Sequence, residues 1–238
     1  MWLESLNDAL PEVRIAKMNL QISKVCERAR KLLRKIDETN LPLEETIEMM
    51  KEISALDQAA VTWRDGPAWV YKTIHRSQIT QDEELLSRWP EHIQLHRDVW
   101  IAYEWNYHRT ARIIMHEHLL ECLDRLHNMC LEKNANLRPV LCSFEETSIT
   151  IIKDLVGEVL STVPQSLGEI DHDGNLLDNW PGTKSCKGIG GYFLLWPIRV
   201  IKSTRSATSQ QRRVGEEVFE RIRECTGMKT VLGDASKI

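Results

Sequence analysis

The sequence predicts an all-α fold, on three observations. Apolar residues recur every three to five positions over long stretches, Pro and Gly punctuate those stretches, and strand-like alternation is almost absent. With 238 residues the chain can bury a sizeable core, and one compact unit is the expectation. Hydrophobic residues at 42% and charged residues at 28% belong to a folded globular chain rather than a disordered one.

The first helix is expected from Glu12 to Glu38, where Val13, Ala16, Leu20, Val25, Ala29, Leu32, Leu33 and Ile36 share one face and Pro11 suits the first turn. Residues 1–40 are thus an N-terminal helix, expected to form one compact unit with residues 41–238. A second helix should run from Leu43 to Trp63, started by Pro42 and stopped by Asp65-Gly66-Pro67, with Ile47, Met50, Ile53, Leu56, Ala60 and Trp63 inside. After a polar connector over 78–90, a pattern free of Gly and Pro extends from Glu91 to Leu131 and predicts one long central helix. Residues 134–139 break it.

Ser143-Phe-Glu-Glu146 has the form of a capping box and predicts a helix from there to Val163, ended by Pro164. The β-branched TSITII at 147–152 keeps the helical period and is read as part of it. Residues 165–188, rich in Gly, Asp, Asn, Ser and Pro, read as a long surface loop. Helices resume over 190–202 and 210–226, with Gly227 placed to cap the last.

Several function classes lose support on composition. The net charge is -4, so no overall positive field draws the chain to nucleic acid. Met1 to Leu10 has two acids and no basic segment before an apolar one, unlike a secretory signal, and GIGGYFLLWPI is too short to span a bilayer. A soluble, intracellular protein is expected, with no membrane association. The six cysteines, Cys26, Cys122, Cys130, Cys142, Cys186 and Cys225, include no C-x-x-C pair and are expected to be reduced.

The stretch WNYHRTARIIMHEHLLECLDRLHNMC (105–130) gathers four histidines and two cysteines. On a helix, His116 and His118 project roughly 200° apart, so they cannot share a metal, and H-E-x-x-H is not matched. His118 with Cys122 and His127 with Cys130 have two-ligand spacings, but the pairs lie on opposite sides of a helix, about 180° around its axis. No metal is expected there. Glu104 with His108, Arg112 with His116 and Glu121 with Arg125 are spaced for surface pairing.

Elsewhere, Asp171-His-Asp-Gly-Asn175 imitates the start of a calcium loop but has Leu176 and Gly182 where Gly and Glu are required, and reads as a turn. Gly188-Ile-Gly-Gly191 fits no nucleotide-binding pattern, and no nucleophile elbow or recognisable nucleophilic Cys occurs. No catalytic residue, cofactor site or metal site is assigned, and no enzyme activity is expected. Arg199, Lys202, Arg205, Arg212 and Arg213 form a basic run that reads as a solvated loop, with phosphate contact as the alternative. Among the eight tryptophans, Trp63, Trp69, Trp100, Trp105 and Trp196 lie in apolar contexts and suit either core packing or a ligand cavity.

Taken together, LDQAAVTW with PAWVY (56–71), WIAYEWNYHRTARIIMHEHLL (100–120), VLSTVPQSLG (159–168), GGYFLLWPIRVI (190–201) and RVGEEVFERIRECTGMKTVLG (213–233) form an ordered series. The series resembles the C-terminal, all-helical regulatory domain of fungal Zn2Cys6 binuclear-cluster transcription factors. The resemblance covers roughly residues 50–233, its most specific part being the aromatic-Asn-x-x-Arg and Arg-Ile-x-x-His-x-x-Leu run. It implies that Trp105, Asn106, Arg109, Arg112 and His116 are recurrent structural positions on a long helix, and Gly191, Leu195, Trp196 and Pro197 on a later one. His108 departs from the family's usual Tyr, and Arg199 to Lys202 from its small residues. No cysteine spacing matches the six-cysteine DNA-binding module.

What the resemblance implies is transcription regulation in a fungal nucleus, in the setting of secondary metabolism, by a domain without its own DNA-binding module. Its partners would be co-regulator proteins or zinc-cluster factors, a second copy in a homodimer, or a small-molecule effector, without sequence-specific DNA binding by this chain. The alternative is a stand-alone helical domain recruited as an enzyme or small-molecule carrier in a fungal biosynthetic pathway.

Overall fold

A computed structural model describes residues 7, 11–38, 43–62, 69–130, 138–177 and 188–225. Its helices are α1 (Pro11–Glu38), α2 (Leu43–Thr62), α3 (Glu83–Arg88), α4 (Val99–Cys130), α5 (Arg138–Ser161), α6 (Val163–Ser166), α7 (Gly188–Ser203) and α8 (Ser209–Cys225). Two short strands, β1 (Lys72–His75) and β2 (His92–Leu95), pair antiparallel with Lys72 opposite Leu95 and His75 opposite His92. The class is all-α, as expected. Trp63, Asp65-Gly66-Pro67, Gly227 and the side chains of Ile36, Cys130, Cys186 and Cys225 lie outside the residues described.

Contacts divide the chain into two compact units, Met1–Val70 with His108–Asp154, and Tyr71–Tyr107 with Leu155–Ile238. In the first, the inner stripes of α1 and α2 meet the later turns of α4 and the start of α5. Ile22, Val25, Ala29, Leu32, Met49, Met50, Ile53, Leu119, Leu123, Leu126 and Leu141 form one buried cluster. The sequence stripe on α1 matches this core because i, i+3 and i+4 positions lie on one helix face. Burying the larger of these side chains contributes roughly 1.5–3 kcal/mol each, an upper estimate against an extended chain.

In the second unit the β1/β2 hairpin, with α3 in its connection, packs Leu85, Trp89, Ile93 and Leu95 against Ile170. The hairpin corrects the expectation of a helix starting at Glu91. Asp98 is the real helix cap: its carboxylate accepts from the Ile101 amide at 2.9 Å, and the helix begins at Val99. Similarly, Ser143 is not a cap but lies inside α5, which opens at Arg138 with Pro139 in its first turn.

The first part of the expected surface loop, residues 165–170, is interior. Gln165, Ser166, Leu167, Glu169 and Ile170 are all buried, and an isolated bridge joins Ile170 to Leu176. Among the described residues of that stretch, the turn at 171–175 fits the expectation: Asp171 accepts from the amides of Asp173 and Asn175, with Gly174 at a φ of 92° that favours glycine. The α7–α8 connection ends in a capping box, with the Gln211 amide donating to Thr208 Oγ1 at 3.1 Å and the Thr208 amide to Gln211 Oε1 at 2.9 Å.

Candidate functional site

Six polar residues of α4 face inward. Asn106, His108, Arg109, Thr110, Arg112 and His116 are each at most 4% exposed. In the first unit, Arg112 and His116 stand one turn apart and converge on Asp57 of α2. Arg112 Nε donates to Asp57 Oδ1 at 2.8 Å, and His116 Nε2 reaches the same oxygen at 3.3 Å. On its other side His116 Nδ1 lies 3.1 Å from Ser148 Oγ on α5. Burial pushes the Asp57 carboxyl up, but the hydrogen bonds and charges of His116 and Arg112 outweigh it and hold the group well below the ordinary carboxylate range. The i,i+4 spacing of Arg112 and His116, read as surface pairing, therefore serves a buried carboxylate instead.

Ser148, His116 and Asp57 have the hydrogen-bond order of a hydrolase triad. Two features set them apart. Asp57 is already neutralised by Arg112, and Ser148 is 2% exposed, so its hydroxyl offers a substrate carbonyl no surface to occupy. The network is suited to fixing α2, α4 and α5 in register. Asp57 had a signal in the sequence: it falls four after Ile53 and three before Ala60, so an acid sits on the inner stripe of α2. Ser148 had none, being one of many hydroxyls on α5.

The histidines of the 105–130 stretch are dispersed. His108 Nδ1 lies 2.7 Å from Asn19 Oδ1 on α1; the amide oxygen only accepts, which places the ring proton on Nδ1. Arg30 Nε donates to His118 Nε2 at 3.3 Å, and burial and then the Arg30 charge push the His118 pKa down. Cys122 is fully buried beside the Ala29 carbonyl, and burial, then the Glu121 charge, push its thiol up to about 12. His118 and Cys122 are thus committed separately. Of the three i,i+4 pairs on α4, Glu121 with Arg125 closes directly, at 3.3 Å. At the end of α4, donor atoms of His127, Cys142 and Glu145 all lie within 4.8 Å of one another.

In the second unit, the buried segment after α5 holds its neighbours by side chains. Gln165 Nε2 donates to the His96 carbonyl at 2.6 Å while its Oε1 accepts from the His96 amide at 2.7 Å. Asn106 Nδ2 donates to Thr162 Oγ1 at 2.7 Å. Glu169 accepts from Trp89 Nε1 at 2.7 Å and is paired with Arg221. Of the glycines in 188–191, Gly190 has a packing reason: a Cβ there would run into the Ser166 carbonyl oxygen, so α7 meets α6 at this point only without a side chain.

The basic run is largely used within the fold. Lys202 pairs with Glu216, Arg213 with Glu217, and Arg212 Nη1 donates to the Thr204, Arg205 and Ala207 carbonyls. This unit exposes a group of aromatic rings. Trp100, Tyr103 and Tyr107 of α4 stack with Phe193 and Trp196 of α7, with ring centroids of Tyr103 and Phe193 at 4.4 Å and of Tyr107 and Trp196 at 4.9 Å. Trp100, Tyr107, Tyr192 and Trp196 are 39–59% exposed, whereas Trp69 and Trp105 are buried. Of the residues the resemblance singles out on the later helix, Gly191 and Pro197 are buried, Leu195 is half-buried and Trp196 is exposed.

No family model matches the chain, and neither a curated protein nor a solved structure matches it. Among the described residues, no helix is long and apolar enough to cross a membrane.

Proposed function

We propose that the chain is a non-catalytic helical regulatory domain of the Zn2Cys6 transcription-factor type, acting in the fungal nucleus through protein partners. The observation that carries this reading is the burial of Trp105, Asn106, Arg109, Arg112 and His116, each at most 4% exposed. Chemistry-bearing residues used as internal struts suit a domain whose output is binding. The exposed rings of Trp100, Tyr107, Tyr192 and Trp196 are the residue types enriched at partner-facing surfaces. Co-regulators or zinc-cluster factors are the partners that fit this reading, and DNA contact would come through them.

The test is a reporter assay with the chain fused to an unrelated DNA-binding domain, alongside a gel shift with the chain alone. Reporter activation or repression that is lost in a Trp100→Ser, Trp196→Ser variant of unchanged fold supports the proposal. An inert fusion, or tight sequence-specific DNA binding by the unfused chain at physiological salt, overturns it.

A further inference from the structure

The helix-end cluster His127, Cys142 and Glu145 shares no residue with the buried network or the aromatic face. We propose that these three side chains form a binding site for one divalent cation of borderline softness, zinc foremost, with water as its fourth ligand. The donors are an imidazole nitrogen, a thiol sulfur and a carboxylate oxygen, all within 4.8 Å of one another. His127 Nδ1 and Glu145 Oε2 are 3.7 Å apart. For bonds of 2.0–2.3 Å, the edge of a zinc tetrahedron is about 3.3–3.8 Å, so small side-chain rotations close the set on an ion.

The local chain favours convergence. Cys142 and Glu145 are three apart on α5 and share a face, and His127 comes from the last turn of α4. His127 Nε2 is buried and has no hydrogen-bond partner among the described residues, so the ring is not committed elsewhere. A histidine–glutamate ion pair alone leaves the Cys142 sulfur of this cluster without a role.

Donor type selects the metal. Thiolate and imidazole suit zinc, cobalt(II), nickel(II) and copper, whereas calcium and magnesium call for oxygen shells. A thiolate and a carboxylate together carry the charge that a divalent cation neutralises, the thiol proton being released on binding. The His127 and Glu145 side chains are 24% and 36% exposed, which gives an ion and a water ligand access.

The experiment titrates cobalt(II) into metal-stripped, full-length protein under reducing conditions, with zinc as competitor. A thiolate-to-cobalt charge-transfer band saturating at one ion per chain and bleached by zinc is the expected result. Cys142→Ser should abolish the band, and His127→Ala and Glu145→Gln should each weaken cobalt binding by at least about tenfold. Circular dichroism of each variant verifies folding, and Glu145→Gln, the most conservative change, serves where another variant unfolds. No band in the wild-type protein, or a band retained in folded Cys142→Ser, overturns the proposal.

Discussion

Replacing Asp57 by Ala should cost far more stability than a surface carboxylate would. The carboxyl is buried on α2 and takes a 2.8 Å hydrogen bond from Arg112, whose side chain is 5% exposed. Removing the acid strands a guanidinium that water cannot reach. Breaking one side of a buried pair typically costs about 3–5 kcal/mol, against roughly 0–1 kcal/mol for an exposed pair. Within a total stability of about 5–15 kcal/mol, that moves the urea midpoint substantially without changing the slope. Asp57→Ala combined with Arg112→Met should recover a large part of the loss, because the stranded charge is gone.

The pH dependence has a definite sign. The folded-state carboxyl titrates lower than the unfolded one, so its stabilisation is present above the unfolded value of about 4 and is lost as pH falls through the folded one. The gap between wild type and Asp57→Ala should therefore be full at neutral pH and shrink in strong acid. Urea unfolding followed by circular dichroism at several pH values measures it. A loss below about 1 kcal/mol at neutral pH, or a gap that widens in acid, would refute the reasoning.

Two further perturbations test other parts of the fold. Gly190→Ala would stabilise an ordinary helix by up to about 1 kcal/mol, but here the new methyl meets the Ser166 carbonyl, so a destabilisation of at least about 2 kcal/mol is expected; a raised melting temperature would contradict the contact. Cys122, with its thiol pushed up to about 12, should resist alkylation of the native protein at neutral pH, whereas half-buried Cys142 reacts; peptide mass spectrometry showing Cys122 modified first would contradict its burial.

Long amphipathic stretches could be read from sequence because one residue pattern decides them: the α1 stripe from Val25 to Leu33 became core. Short elements could not. His92–Leu95 does not alternate in burial, since three of its four residues are covered, and so it merges with the helical pattern after it. Asp98 carried the missing boundary as a helix cap, and Pro139 marked the start of α5 more truly than the box at Ser143. At the buried network, spacing placed Arg112 and His116 on one face but could not show what that face meets, since Asp57 lies 55 residues away from Arg112. Residues 165–170 read as loop because their Gly and Ser content resembles one, while their burial comes from pairings at long range such as Trp89 with Glu169.

The two-pronged bond between Gln165 and His96 has a consequence for how the molecule behaves in a crowded solution. A primary amide that both gives to a carbonyl and takes from the N–H of the same residue imitates the neighbour a strand would otherwise seek. Just beyond β2, where an open backbone would invite another chain to extend the sheet, the pairing capacity of His96 is filled from within. One side chain thus blunts a sheet end, guarding the hairpin against edge-to-edge association without adding a third strand.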